Sequence, residues 1–240
     1  MLQHKPLSEQ TALVTGGGTG IGRAFASELS SAGARVVIAS RRREVLHRTA
    51  EELNAQTGAE LVFPYAFDIR DRAQTEALVR FVRERFGALD ILVNNSGLAV
   101  PETVEEITEE GWDKVLDTNL RGVMRLVRAA LPGMVAQDFG DIVNVSSQAG
   151  KHGYADVPSY CASKFGLLGY AESLRDHVRR TGANVRVFNL CPGLVDVDHT
   201  GDDEEPRAGA IHVRNMARTL AYALSLDRNV VVEDISLYAR

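Results

Sequence analysis

Thr11-Ala12-Leu13-Val14-Thr15-Gly16-Gly17-Gly18-Thr19-Gly20-Ile21-Gly22 is the stretch that decides the fold. Its first five residues suit a buried strand, five glycines then fall within seven positions, and a helical pattern opens near Ile21. Glycines at 16, 20 and 22 give G-x-x-x-G-x-G in place of the commoner G-x-G-x-x-G. The physics is the same for both spacings. Residues without Cβ let the backbone turn tightly and approach a pyrophosphate, while the helix start offers unpaired N–H groups and the positive end of its dipole. Gly16, Gly18, Thr19, Gly20, Ile21 and Gly22 are therefore candidate phosphate contacts.

Strand-length apolar runs alternate with amphipathic stretches along the rest of the chain. Strands are predicted at 34–39, 61–66, 90–93, 142–145 and 185–190, with a further apolar run at 230–237. Helices are predicted over 21–31, 44–56, 72–86, 110–116, 120–136, 160–180 and 213–226. This alternation predicts an α/β fold: a single-domain Rossmann-type, doubly wound parallel sheet of about seven strands with helices on both faces. No repeat or linker divides residues 1–240, and 196–212 is the one insertion that could serve as a substrate loop. Within it, Asp202, Asp203, Glu204 and Glu205 read as a solvated segment or as a lid over a site.

Composition narrows the class. The 240 residues carry a net charge of −5 and no basic stripe, which argues against nucleic acid as a partner. The N-terminus is polar and no apolar run approaches membrane-spanning length, so a soluble, cytoplasmic protein is expected. Two cysteines, Cys161 and Cys191, suggest no disulfide framework, and no metal-ligand pattern appears.

The second predicted strand ends Ala39-Ser40-Arg41-Arg42-Arg43. An NAD site usually places Asp or Glu there to hold the ribose 2′-OH. An acid would repel a 2′-phosphate, whereas arginine grips one with charge-assisted bonds. Ser40, Arg41 and Arg42 therefore favour NADP over NAD.

Tyr160 and Lys164 lie four residues apart on a predicted helix, with Ser147 thirteen residues before the tyrosine. Positions i and i+4 share a helix face, so phenol and ammonium point into one space. A nearby cation favours the phenolate, and lowering a pKa of about 10 by two to three units takes roughly 3–4 kcal/mol. That would make Tyr160 a usable general acid/base. Only four of the 27 basic residues are lysines, so a lysine at 164 is itself informative.

Together these motifs resemble the short-chain dehydrogenase/reductase family, in its subtype of about 250 residues with a T-G-x-x-x-G-x-G loop. The likeness is close from residue 11 to about 197 and rests on the glycine loop at 15–22, Asn94-Asn95-Ser96-Gly97, the Ser147/Tyr160/Lys164 set and Pro192-Gly193. Asn119, in D-T-N-L, matches the asparagine that completes the family's active site. The resemblance implies that Ser147 bonds the substrate oxygen, Tyr160 exchanges its proton, Lys164 binds the nicotinamide ribose and lowers the tyrosine pKa, and Asn119 holds a water of a proton relay. It also implies that Asp68 and Ile69 contact the adenine, that Asn94, Asn95 and Gly97 line the adenosine side, and that Pro192, Gly193 and Val195 join the cofactor contacts. Val197 stands where the family often has a threonine that contacts the nicotinamide amide, and Thr200 is a nearby substitute.

The expected function is NADP-dependent hydride transfer with a secondary alcohol or ketone. The alternatives are 3-ketoacyl-thioester reduction, for which Arg121, Arg125 and Arg128 would form a docking face, and a non-catalytic NADP sensor. Leu98, Gln148, Tyr154 and Leu194 flank the catalytic positions and are substrate-pocket candidates, with Lys151 and His152 available to an acidic substrate group. Surplus apolar residues over 112–136 point to a helix-pair interface and, by resemblance, to a homotetramer or homodimer.

Overall fold

In the computed structural model, which describes residues 5–198 and 206–240, seven parallel strands form one sheet in the order β3-β2-β1-β4-β5-β6-β9. The strands are β1 (Thr11–Thr15), β2 (Arg35–Ser40), β3 (Val62–Ala66), β4 (Ile91–Asn94), β5 (Gly140–Val145), β6 (Val185–Pro192) and β9 (Asp234–Leu237). Helices α1 (Gly20–Ser31), α2 (Arg43–Thr57), α3 (Arg72–Phe86), α4 (Glu109–Leu116), α5 (Gly122–Ala136), α6 (Pro158–Thr181) and α7 (Val213–Ser225) make the connections. The order reverses between β1 and β4. In open α/β sheets, ligands collect beyond the carboxyl ends of the strands at such a switch point.

The strands read as continuous apolar runs because both faces are covered. Ala12 and Val14 of β1 pack with Phe25, Leu29, Met216 and Leu220 of α1 and α7. Leu13 faces the other way, toward Leu78, Val82, Leu126 and Leu167 of α3, α5 and α6. Two features differ from the sequence expectation. The helices predicted at 110–116 and 120–136 are one continuous rod, joined by a π-helical turn at Asp117–Arg121 that places Asn119. The predicted loop contains a short parallel ribbon, β7 (Val195–Asp196) with β8 (Ile211–His212). Residues 199–205, including Thr200 and the four acids, lie outside the described residues.

A side-chain ladder crosses the carboxyl half of the sheet. Asn94 Nδ2 donates to Asn144 Oδ1 at 2.9 Å, Asn144 to Asn189 at 3.0 Å, and Asn189 to Asp234 Oδ1 at 2.8 Å. These four residues are direct partners across β4, β5, β6 and β9. Ionised Asp234 only accepts, so it sets the direction of every amide in the row. At its far end, buried Asn94 Oδ1 has no partner among the described residues.

The amino ends of the strands are fastened by charge. Asp141 receives Arg186 Nε at 2.8 Å and Arg228 Nη1 at 2.7 Å, all three side chains being almost fully buried. Arg186 also donates to the Leu224 and Leu226 carbonyls at the end of α7, and Arg228 stacks 4.4 Å over Phe139. Removing the carboxylate strands two buried guanidiniums, a situation that costs about 3–5 kcal/mol. Asp141→Ala should lower the stability measured by urea unfolding by about that much with little change in slope; a loss below about 1 kcal/mol would show that the cluster is solvated.

Candidate active site

The glycine loop is built as its sequence implies. Gly16 and Gly20 have φ of +67° and +52°, a region that L side chains rarely adopt. A Cβ on Gly22 would lie 2.3 Å from the Gly16 carbonyl oxygen, so that position admits no side chain. Thr15 Oγ1 accepts the backbone N–H groups of Asn95 and Ser96, both at 3.0 Å, and Asn95 Nδ2 donates to the Thr15 carbonyl at 2.9 Å. The loop after β1 is thus tied to the loop after β4 across the switch point.

Between these loops runs a groove of about 600 Å³. Gly16, Gly18, Thr19, Gly20, Ile21, Ser40, Arg41, Arg42, Asp68, Ile69, Asn95, Gly97 and Leu98 all line it. Arg42 Nη2 reaches Thr19 Oγ1 at 3.3 Å across its mouth. Several lining residues escaped the sequence reading: Ser96, Thr118, Asp198 and, most consequentially, Arg70. Arg70 pairs with Asp68 at 2.7 Å and holds its carboxyl below the usual carboxylate range. The Asp68 carboxylate therefore feels two guanidiniums along this end, Arg70 and, more weakly, Arg41. The D-I-R sequence after β3 carries the signal for Arg70.

Other expected contacts sit elsewhere. Asn94 does not reach the groove; its amide is spent in the sheet ladder. Gly22 packs beneath the loop, Gly193 N–H donates to the Leu237 carbonyl, and Val195 lies in the β7–β8 ribbon. Pro192 closes β6. Val197 comes over the glycine loop, where a Cβ on Gly20 would touch it at 3.3 Å.

Ser147, Tyr160, Lys164 and Asn119 converge beyond the carboxyl ends of β4 and β5. Pro158 starts α6 with a φ suited to its first turn, and Tyr160 and Lys164 follow on one face. Lys164 is 4% exposed; its Nζ donates to the Val145 carbonyl at 2.7 Å and lies 5.4 Å from the Tyr160 ring centre. A Cβ on Gly97 would stand 3.4 Å from Asn119 Oδ1 and 3.6 Å from Lys164 Nζ, so Gly97 is the hinge between groove and catalytic cluster. Asn119 spends its side chain on the Leu98 N–H and carbonyl and on Ser163 Oγ, holding the loop after β4 against α6.

One electrostatic expectation is overturned. Burial dominates at Tyr160 and raises its phenol above the ordinary value, with the Ser147 hydroxyl pulling in the opposite sense. Lys164, directed at a backbone carbonyl, does not lower it; the lysine is itself depressed to about 8 because its charge is buried. Burial likewise pushes the Cys191 thiol up to about 11, too high for a nucleophile near neutrality.

Of the pocket candidates, Leu98 lines the groove, and Tyr154 and Leu194 are exposed. Gln148 is buried, with both ends of its amide engaged. Lys151 is bound to Ser236 and Asp234 and so is not a free cation for an acidic substrate. Arg121 is paired with Asp117. No cluster of metal-binding side chains occurs among the described residues, and no described helix is long and apolar enough to cross a membrane.

A family profile described as short chain dehydrogenase matches residues 10–208. The chain belongs to the short-chain dehydrogenase/reductase family. It is accordingly an oxidoreductase of that type. It is 30% identical over 231 residues to an uncharacterised oxidoreductase of Staphylococcus epidermidis, covering 96% of this chain and 97% of that one. An alcohol dehydrogenase from the archaeon Thermococcus sibiricus, complexed with 5-hydroxy-NADP, superposes with a TM-score of 0.86 at 27% identity over 95% of this chain and 96% of that chain. A variant of actinorhodin polyketide ketoreductase with NADPH gives 0.86 at 31% identity over 98% and 97%.

Lys164 carries a thermodynamic signature. Unfolded, its amine loses a proton near 10.5; folded, near 8. Below pH 8 both states hold the proton and the fold bears the full cost of a buried charge. Between pH 8 and 10.5 the folded amine is neutral while the unfolded one still binds a proton, so stability rises with pH. At about 1.4 kcal/mol per pH unit the cost is on the order of 3 kcal/mol. Lys164→Met should therefore melt higher than the parent at pH 7, with the gap shrinking toward pH 10. An equal gap at both pH values would rule out the buried-charge account.

Proposed function

We propose that this enzyme transfers hydride between NADP and a secondary alcohol/ketone pair, with Tyr160 as general acid/base. The observation that carries the reading is that Asn119 and Lys164 meet at Gly97, which also lines the groove, while Tyr160 lies beside Lys164 and bonds to Ser147. The groove fits the cofactor: glycines that no side chain could replace, a helix start for a pyrophosphate, and an arginine-rich end for a 2′-phosphate. Gly16, Gly18, Thr19, Gly20 and Ile21 would hold the pyrophosphate, Ser40, Arg41 and Arg42 the 2′-phosphate, Asp68 and Ile69 the adenine, and Asn95 and Gly97 the ribose side. The cofactor, when bound, supplies the hydride.

The chain's own residues handle the proton. The Ser147 oxygen accepts the Ala149 N–H at 3.1 Å, and its hydroxyl, bonded to the Tyr160 phenol here, would turn its hydrogen to a bound substrate oxygen. In carbonyl reduction the Tyr160 hydroxyl gives its proton to that oxygen; in alcohol oxidation the phenolate takes it. Lys164, 5.4 Å from the Tyr160 ring centre, would hold the nicotinamide ribose beside it.

A second reading, 3-ketoacyl-thioester reduction, is favoured by the likeness to the polyketide ketoreductase and by a cleft of about 880 Å³ where Arg72, Arg80, Arg83, Arg125 and Arg128 outnumber Glu76 and Glu84, a net basic wall for an acidic carrier. Under either reading the chain is taken as one domain over 1–240 and as a cytoplasmic homotetramer. Exposed Trp112, Met124 and Phe165 on α4, α5 and α6 are the residues a second copy would cover.

Purified protein given NADPH and a panel of ketones, ketoacyl thioesters, sugar carbonyls and, with NADP, 3-hydroxy acids should change the reduced-nicotinamide absorbance with at least one compound. Tyr160→Phe should cut that turnover by about 10²-fold or more and still bind NADPH; a fully active variant would sink the mechanism. Arg41→Glu should weaken NADPH binding on the order of tenfold and leave NADH nearly unaffected, as read by fluorescence titration of both. Equal losses for both nucleotides would remove Arg41 from the 2′-phosphate site.

A further inference from the structure

The last strand reaches the catalytic serine by a route that the family assignment does not supply. Residues 234, 236 and 238 alternate with Ile235 and Leu237, and those two pack into the core under α1 and α7. Period-two alternation therefore turns Asp234, Ser236 and Tyr238 to the other face, over the turn that follows Ser147. Each makes a bond there. Tyr238 Oη donates to Gln148 Oε1 at 2.5 Å, and Lys151 Nζ donates to Ser236 Oγ at 3.0 Å and lies 3.4 Å from Asp234 Oδ2. The 3-10 turn Gln148–Gly150 is thus latched at its first residue and just past its last.

Gln148 makes the Tyr238 latch directional. It is 3% exposed, and its Nε2 donates at 2.6 Å to the Cys191 carbonyl, which can only accept. Its Oε1 must therefore face a donor, and the Tyr238 hydroxyl is that donor. Gln148 adjoins Ser147, whose oxygen is held in turn by the Ala149 N–H within the same turn. On the other side, a Cβ on Gly150 would meet Ser146 Oγ at 2.8 Å and the Lys164 carbonyl at 2.9 Å, so α6 closes the turn from behind. The C-terminal residues thus add side-chain restraints to a turn already held by the Cys191 carbonyl and by α6.

We propose that Tyr238 is a positioning residue for catalysis, acting through Gln148 to hold the Ser147 hydroxyl at its working distance from Tyr160. This rests on the reading of Ser147 and Tyr160 given above. Tyr238 itself is largely exposed, so its ring contributes little to the core, and loss of the hydroxyl alone leaves the buried Gln148 oxygen without a donor. The cost then appears in the geometry of the turn and in turnover more than in global stability.

The test compares Tyr238→Phe, Gln148→Leu, the double variant and Tyr160→Phe, each as the full chain, with NADPH and the best carbonyl compound of the panel. Tyr238→Phe should lower kcat about tenfold while KM for NADPH and the melting temperature stay at parent values. Deuterium uptake of the Ala149 and Gly150 amides should rise, and the double variant should be no slower than the slower single variant. Parent kcat with parent uptake in Tyr238→Phe would overturn the proposal, as would a loss of kcat that follows a falling melting temperature. Full activity in Tyr160→Phe would instead overturn the reading of the site; an inactive Tyr160→Phe beside a fully active Tyr238→Phe overturns the Tyr238 role alone. Should no panel compound turn over, the exchange measurement decides by itself: uptake at the parent level refutes the latch.

Discussion

The register of β4, β5, β6 and β9 is the constraint on which the rest of this structure depends, and a row of buried amides enforces it. Asn94, Asn144, Asn189 and Asp234 must stand opposite one another. A slip of one residue would turn each to the other face and leave buried amides without partners, at a cost of about 1–3 kcal/mol for each group. Several site and supporting residues lie a few residues beyond a rung, whereas Asn119, Tyr160 and Lys164 are brought in by the helices. Asn95 and Gly97 follow Asn94, Ser147 and Gln148 follow Asn144, Cys191 follows Asn189, and Ser236 and Tyr238 follow Asp234. Fixing the ladder therefore fixes how the chemistry is assembled.

Charge is distributed to match. At the amino ends of the strands, one aspartate holds two buried arginines and ties the end of α7 to the sheet. At the carboxyl ends, a lysine is buried with no carboxylate bonded to it among the described residues, its Nζ directed at a backbone carbonyl. The first arrangement stabilises the fold. The second costs stability and is sensible only as a functional cation, a conflict between local stability and use that proteins accept mainly at active sites.

Legibility in the sequence followed the range of the interactions. The β1 and α3 boundaries, the glycine loop and the tyrosine–lysine pair were readable because each is a local pattern: strand alternation, turn chemistry or helical spacing. The π-helical turn at Asn119 was not, because it arises where α4 and the turn pack on α6 while α5 packs on α3. Arg70 was overlooked although it sits two residues from Asp68, since its role depends on the neighbouring Arg41 and Arg42 side chains. The effect of Lys164 on Tyr160 was misjudged for a related reason. Spacing brings two side chains to one face but says nothing of the desolvation that decides their protonation, nor that a nearby carbonyl claims the ammonium.

The sequence by itself determined the fold class, the family and the identities of the acid, the cation and the phosphate loop. Those properties are written in short windows where backbone sterics and side-chain chemistry act on neighbours. Only the tertiary structure decided which groups share a site: that Gly97 joins the groove to the catalytic cluster, that Asn94 serves the sheet and not the groove, and that Tyr238 closes on Gln148 from ninety residues away. The reason is physical. Long-range hydrogen bonds form only once a core has brought distant strands into register, and no local pattern in the chain encodes that meeting.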